Sequence, residues 1–135
     1  MYLTKLSKEQ KELFLGLAYE LSNVDGNFSE AEKEIIDEYC HEMKMEFNKE
    51  TMVMSSDKLI DRINDISNEM IKKIVIFEIV GLAMVDKKYD AKEREFIKRM
   101  EETFGIDSGF GEKCEMIINE YIAFQMKINQ LVLGE

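Results

Sequence analysis

Two short acidic stretches of the chain carry the residue types that could bind a metal ion. "VDGNFSEAE" (24–32) and "VDKKYDAKE" (85–93) each place an aspartate seven positions before a glutamate. Carboxylates suit hard divalent cations such as Ca²⁺, Mg²⁺ and Mn²⁺. The candidate metal ligands of the sequence are therefore Asp25, Glu32, Asp86 and Glu93.

Neither stretch is an ordinary EF-hand loop. Such a loop needs oxygen ligands at positions 1, 3, 5 and 12, and a glycine at position 6. If Glu32 takes position 12, position 1 is Leu21, and the second stretch has Leu82 at position 1 and Lys87 at position 6. A metal ion would therefore need ligands pooled from both stretches.

The two glutamates also have a complete structural role without metal. Ser29 and Asp90 stand three residues before them, which is the spacing of a capping box at the start of a helix. The aromatic residues before the caps, Phe28 and Tyr89, could act as hydrophobic staples. The two aspartates are explained less fully, because an acid after the last apolar residue of a helix opposes the helix dipole. The sequence therefore leaves open whether these acids bind a metal ion or only shape the turns and helix starts.

The two stretches belong to an internal repeat. Shifting the chain by 61 residues aligns 12–43 with 73–104 without a gap, so that Leu21 meets Leu82. Each copy contains the end of an apolar helix, an acidic turn and the start of an amphipathic helix. We therefore expect one domain over residues 1–135, with two halves related by an approximate twofold axis.

Apolar residues recur at helical spacing along most of the chain, which predicts an all-α bundle of six to seven helices. The helices are predicted to start at Ser7, Ser29, about Ser56, Ser67, about Ala91 and near Ser108–Phe110. Segment 44–57 is predicted to be a connection with a short helical turn after Asn48. The helix after Ser67 is apolar on nearly all sides, so it should be central.

Gly105 should end the fifth helix, and the last helix is predicted to run to about Val132. Its expected buried side consists of Ile117, Ile118, Tyr121, Ile122, Phe124, Ile128 and Leu131.

The charge balance restricts the partners. With 28 acidic and 18 basic residues, the net charge of −10 argues against nucleic acid and against an anionic membrane surface. The most apolar run, 74–85, is shorter than the ~20 residues that span a bilayer, so no direct membrane insertion is expected. The first ten residues lack the apolar run of a signal peptide, so a cytoplasmic protein is expected.

Segment 25–46 carries a net charge of −6, from eight acids against Lys33 and Lys44. It is either a solvated surface or a docking face for a protein partner with a basic surface.

His41 is the only histidine, which argues against a di-metal enzyme built on Glu-x-x-His pairs. Cys40 precedes His41, and adjacent helical residues point apart, so no nucleophile pair is expected. We therefore predict no catalytic residues and no certain cofactor.

The paired motif, a hydrophobic residue followed by Asp-Gly, an aromatic residue and a glutamate, resembles that of the TerB-like family, named for a tellurite-resistance protein. The resemblance covers roughly residues 10–125. It implies a bundle of about seven helices with pseudo-twofold halves, acting as a non-enzymatic interaction or sensing module linked to tellurite resistance or stress. The paired acids would form a metal-linked or partner-binding patch. The second copy departs from the motif, because Lys87 stands where the first copy has Gly26.

Overall fold

The computed structural model describes residues 1–24, 30–46, 54–85 and 89–134, and most of these residues lie in helices. A 3₁₀ helix, Leu3–Lys5, precedes six α-helices: α1 (Lys8–Ser22), α2 (Glu30–Met43), α3 (Ser56–Ile66), α4 (Glu69–Ala83), α5 (Ala91–Phe104) and α6 (Phe110–Leu133). The described residues contain no strand, and the helices pack as a compact bundle, so the predicted all-α class is confirmed. The predicted turn after Asn48 lies outside the described residues.

Side-chain caps start several helices where the sequence predicts them. Ser7 precedes α1, and its hydroxyl accepts a hydrogen bond from the Gln10 backbone N–H at 3.2 Å. The Gln10 side chain accepts from the Ser7 N–H at 2.8 Å, which completes the capping box. The side chain of Ser55 caps α3, one residue before the predicted start. The predicted cap of α2, Ser29, lies outside the described residues.

The predicted cap of α4 is wrong by one residue. Asn68, rather than Ser67, stands at the N-cap, where its side-chain oxygen accepts from the Ile71 N–H at 2.9 Å. Ser67 instead ends α3 in an extended conformation, and its hydroxyl accepts from the Gln10 side chain at 3.2 Å. Asn and Ser cap helices about equally well, so the tertiary contact with α1 decides between two adjacent candidates.

Helix α4 lies at the centre of the bundle, as predicted. Its buried side chains point to several sides, and it packs against α1, α5 and α6. Helix α1 contributes Phe14 to the core, whose ring meets Tyr39 of α2 edge-on with centroids 5.1 Å apart. The Tyr39 hydroxyl donates to the backbone carbonyl of Glu78 at 3.1 Å, which joins α2 to α4.

Helices α2 and α5 end in the same Schellman motif. After α5, Gly105 adopts a left-handed conformation with φ 67°, and the Ile106 N–H donates to the Glu101 carbonyl at 3.0 Å. After α2, Lys44 takes the same position with φ 55°, and the Met45 N–H donates to the Cys40 carbonyl at 3.0 Å. Lys44 is the only described non-glycine residue with positive φ.

The helix boundaries follow the 61-residue offset of the repeat. The last residues of α1 and α4, Ser22 and Ala83, are 61 positions apart. Helix α5 starts and ends 61 positions after α2, and the motif residues Lys44 and Gly105 keep the same offset. The two copies therefore share local structure as well as sequence.

Close contacts hold α6 at its start. The Gly111 N–H donates to the Glu101 carboxylate of α5 at 2.7 Å, so a side chain from another helix serves an N-terminal N–H of α6. A Cβ on Gly111 would lie 2.8 Å from Cγ2 of Ile97, which only a glycine avoids. Cys114, one turn later, is also buried.

The predicted burial of α6 is wrong beyond this base. Every residue from 119 to 134 is exposed, including Phe124 at 62% and Leu131 at 86%, and only Ile118 of the predicted set packs partly against the core. The reason is length, because α6 has 24 residues, whereas its neighbours α4 and α5 have 15 and 14. Within the described residues, no helix combines the length and hydrophobicity needed to cross a membrane.

Replacing Lys44 with glycine should stabilise the protein. A left-handed conformation costs an L-residue about 1 kcal/mol, so Lys44→Gly should raise the free energy of unfolding by about that amount, and Gly105→Ala should lower it similarly. Denaturant melts measure both changes. Lys44→Ala is the control, since it removes the side chain and keeps the strain. Equal stabilisation by alanine and glycine at position 44 would contradict this explanation.

Candidate functional site

The second acidic stretch forms the predicted capping box at the start of α5. The Asp90 side chain accepts from the Glu93 N–H at 2.9 Å, and the Glu93 side chain accepts from the Asp90 N–H at 3.2 Å. Glu93 is only 4% exposed. A buried carboxylate here is stabilised by the backbone hydrogen bond and by the positive end of the helix dipole.

An aromatic–cation stack lies beside this turn. The Arg94 guanidinium lies 4.0 Å from the Tyr89 ring centroid, and it donates two hydrogen bonds to Glu115 of α6, at 3.0 and 3.1 Å. Burial raises the pKa of Tyr89 to about 12, against the opposing effect of Arg94. The stack joins the turn to α6. No local sequence pattern signals it, because Arg94 and Glu115 lie 21 positions apart.

The helices before the two acidic stretches, α1 and α4, end with the same backbone hydrogen bond. After α1, the Asn23 N–H donates to the Tyr19 carbonyl at 3.1 Å, as the Met84 N–H donates to the Val80 carbonyl after α4. Glu32 is 4% exposed, which equals the exposure of Glu93 at the matching position. Asp25, Phe28, Ser29 and Asp86 lie outside the described residues.

The pooled metal site stays a prediction. Two of its four candidate ligands, Glu32 and Glu93, are described, and both are buried at the first turns of their helices. Among the described residues, no group of three or more His, Cys, Asp or Glu side chains is arranged to hold a metal ion. A carboxylate that accepts one N–H keeps further lone pairs, so the capping role of Glu93 and a ligand role are chemically compatible.

The outer face of α2 is acidic, as the sequence predicts. Glu30, Glu34, Asp37 and Glu38 are exposed, while the opposite side of the helix buries Ile36, Tyr39 and Met43. The Lys33 Nζ lies 3.1 Å from the Glu30 carboxylate and forms an ion pair with it. We call these four exposed acids the α2 face. It is the largest set of exposed acids on any one described helix side.

The two cysteines are poor nucleophiles in their surroundings. Burial and the neighbouring Asp37 raise the pKa of the Cys40 thiol. Burial, together with Glu101, raises the pKa of Cys114 to about 11. Cys40 and His41 border the same shallow depression of about 540 Å³ at the end of α2. Because the thiolate is the reactive form, the environment of Cys40 gives no support to thiol chemistry there.

A buried glutamate in the middle of α4 binds the N-terminal segment. The Glu78 carboxylate accepts from the Tyr2 N–H at 3.1 Å, and Glu42 of α2 accepts from the Leu3 N–H at 3.1 Å. The Met1 amino group lies 2.9 Å from Glu42 and 3.3 Å from Glu78. Glu78 therefore has a structural role within an otherwise apolar run.

A large apolar groove opens between the N-terminal segment, α4 and the base of α6. Its volume is about 760 Å³, and its walls include Tyr2, Met70, Phe77, Ile117 and Tyr121. The sequence did not indicate this groove, because it assigned the α6 residues to the core.

Loss of the Asp90 cap should destabilise α5. Asp90→Ala removes the acceptor for the Glu93 N–H, and we expect the free energy of unfolding to fall by about 1 kcal/mol. Asp90→Asn retains a capping oxygen and should stay within a few tenths of a kcal/mol of wild type. Urea denaturation measures both. An alanine variant that unfolds at the wild-type midpoint would contradict the capping role.

Metal addition tests the pooled site. If Asp25, Glu32, Asp86 and Glu93 share a cation, adding Ca²⁺, Mg²⁺ or Mn²⁺ to metal-free protein should raise the melting temperature. The free energy of unfolding should rise by about 2.7 kcal/mol when the free metal concentration is a hundred times the dissociation constant. Asp25→Asn and Asp86→Asn should each abolish the shift. No shift in wild type, or a shift that only one variant removes, would reject the shared site.

Comparison with known proteins adds no relative. No protein-family model, curated protein or solved structure matches the chain. The resemblance to the TerB-like family therefore rests on the paired motif of this sequence alone, and the function has to be inferred from the surface and the buried groups described above.

Proposed function

We propose that this protein is a non-enzymatic interaction module that binds a basic protein surface through the α2 face. The observation that carries the proposal is the placement of Glu30, Glu34, Asp37 and Glu38, exposed on one side of a helix whose other side lies in the core. Among the described elements, α2 makes most of its contacts with α1 and the 3₁₀ helix, and the four acids on its outer side are exposed, so this face is accessible to a partner.

Electrostatics favours a basic partner. The chain carries a net charge of −10, which attracts cations and repels other acidic surfaces. Three of the four acids of the α2 face, Glu34, Asp37 and Glu38, have no ion pair with another described residue. A basic partner would supply the missing counter-charges, and rim charges of this kind accelerate association and make it sensitive to salt.

The buried carboxylates support an interaction role over a catalytic one. Glu78, Glu93 and Glu101 each accept a backbone N–H, so each stabilises a chain segment or a helix end. The pKa values of both thiols are raised, which disfavours their nucleophilic form.

We also propose that the two halves of the bundle are related by an approximate twofold axis. The shared 61-residue offset of helix ends and Schellman motifs supports this relation. Together with the paired motif, it favours a TerB-like module, cytoplasmic and linked to stress or tellurite resistance. The alternative is a divalent-metal-binding protein, which the equal burial of Glu32 and Glu93 supports.

Charge reversal tests the α2 face. A variant with Glu34→Lys, Asp37→Lys and Glu38→Lys should bind a fluorescent Lys/Arg-rich peptide about tenfold more weakly than wild type. The matched control reverses Glu95, Glu102 and Glu112, which are exposed on α5 and α6, and raises the net charge by the same six units. Fluorescence anisotropy at several salt concentrations measures the affinities.

The control decides between a docking face and general attraction. If the α2 variant loses affinity and the control retains most of it, binding is localised on the α2 face. Equal losses would show that only the net charge matters, and the proposed docking face would then be wrong. Wild-type protein that does not bind the peptide at low salt would also reject the proposal.

A further inference from the structure

The outer part of α6 is an uncovered apolar helix. Ten of the thirteen large apolar side chains that the structure describes as exposed belong to α6. At the observed exposures each presents on the order of 100 Å², so together they expose on the order of 1,000 Å². The largest apolar patch on a typical monomer is about 300–600 Å², and larger ones mark interaction sites.

A helix in this state needs a covering partner. Isolated helices shorter than about 12–15 residues are marginal in water, and most helical stability in proteins comes from packing of the apolar face. From residue 119 onward α6 makes no contact that buries a side chain.

Seven apolar residues of α6 follow a heptad pattern, and the other apolar residues of the helix lie outside it. Phe110, Cys114, Ile117, Tyr121, Phe124, Ile128 and Leu131 alternate spacings of four and three residues without interruption. This 3.5-residue repeat is the pattern of a coiled-coil seam, in which a and d side chains insert into a facing helix. The first two members lie at the base of α6, within the bundle, and the others continue the seam outward.

We propose that the seam of α6 pairs with the seam of a second copy of this chain, as an antiparallel coiled coil with a twofold axis between the copies. Tyr121 of one copy then packs beside Phe124 of the other, and Ile117 packs beside Ile128. A twofold interface of this kind is self-complementary, because every contact occurs twice.

The charges beside the seam select the antiparallel orientation. Glu120 and Lys127, both exposed, are the only charged residues between 116 and 134, and both occupy g positions of the heptad. In an antiparallel pair g positions face each other, so Glu120 of each copy meets Lys127 of the other. In a parallel pair Glu120 would face Gln125, and Lys127 would face Val132. Two charge pairs therefore form in only one orientation.

The groove at the base of α6 favours the same orientation. An antiparallel partner brings its outer end, with Leu131 and Val132, to the base of the first helix, where the groove of about 760 Å³ opens. Exposed Met70 and Tyr2 border that groove and would cover the incoming residues. A parallel partner would leave both grooves empty.

The interface has a suitable size and charge for two acidic copies. The five exposed seam residues, together with Tyr2 and Met70 at the groove margin, present on the order of 700 Å² per copy, near the about 800 Å² per partner of a standard interface. Two chains of net charge −10 repel each other, but residues 116–134 carry one acid and one base, so repulsion is weakest along this segment.

The solution mass of the full chain tests the second copy. Light scattering across a concentration series should give twice the 15.8 kDa of the monomer. Phe124→Lys, on the seam, should shift the protein to the monomer. Met126→Lys is the matched control, because Met126 is 60% exposed against 62% for Phe124 but lies on the opposite side of α6, and it should leave the dimer intact.

Charge swaps test the orientation independently of Phe124. Glu120→Lys and Lys127→Glu should each weaken the dimer, and the double variant should restore it, because the reversed pairs face each other again. A monomeric mass at every concentration would overturn the second copy in favour of a different partner. If Phe124→Lys and Met126→Lys both dissociate the dimer, or if neither does, the proposed seam is wrong. The absence of rescue in the double swap would overturn the antiparallel orientation.

Discussion

The burial of α4 is the constraint on which the rest of the bundle depends. Its side chains are apolar on nearly every side, so stability requires neighbours around the whole helix rather than along one stripe. Helices α1 and α5 and the base of α6 supply that cover, and α2 reaches α4 through the hydrogen bond from Tyr39 to the Glu78 carbonyl. The Glu78 carboxylate binds the N-terminal segment and so avoids an unpaired buried charge.

Buried glutamates accept hydrogen bonds from backbone N–H groups at helix starts and in the N-terminal segment. Gly109, the N-cap of α6, has no side chain that could cap the helix, and Glu101 of α5 accepts a hydrogen bond from the Gly111 N–H instead. Glu93 completes the cap of α5, and Glu78 receives the N-terminal segment. Acidic residues in this protein therefore serve two purposes, because those inside hold backbone groups and those on α2 form a charged exterior.

Local signals in the sequence predicted local structure well. The capping boxes at Ser7 and Asp90, and the end of α5 at Gly105, depend on neighbours within a few residues, and the sequence contains those neighbours. The choice between Ser67 and Asn68 required a contact from α1, which no local pattern contains. The candidate site was predictable as far as the cap formed by Glu93. The stack of Arg94 on Tyr89, with Glu115, depends on the packing of α6 and was not.

The error at α6 has a general cause. Periodicity shows which side of a helix is apolar, but it does not show whether the same chain covers that side. Ile117 and Phe124 have the spacing of core residues and yet are exposed. Helix length carried the missing information, since 24 residues exceed what α4 and α5 can cover.

The tight base of α6 gives the helix the mechanics of a lever. Glu101 and Ile97 of α5 pack closely against Gly111 at the start of α6. The other end of this helix lies about 36 Å away. A rotation of about 5° at the base would displace the far end by about 3 Å. A small shift of α5 inside the bundle is therefore amplified several-fold at the tip, and a force applied to the tip acts on the second half of α5, where Ile97 and Glu101 lie.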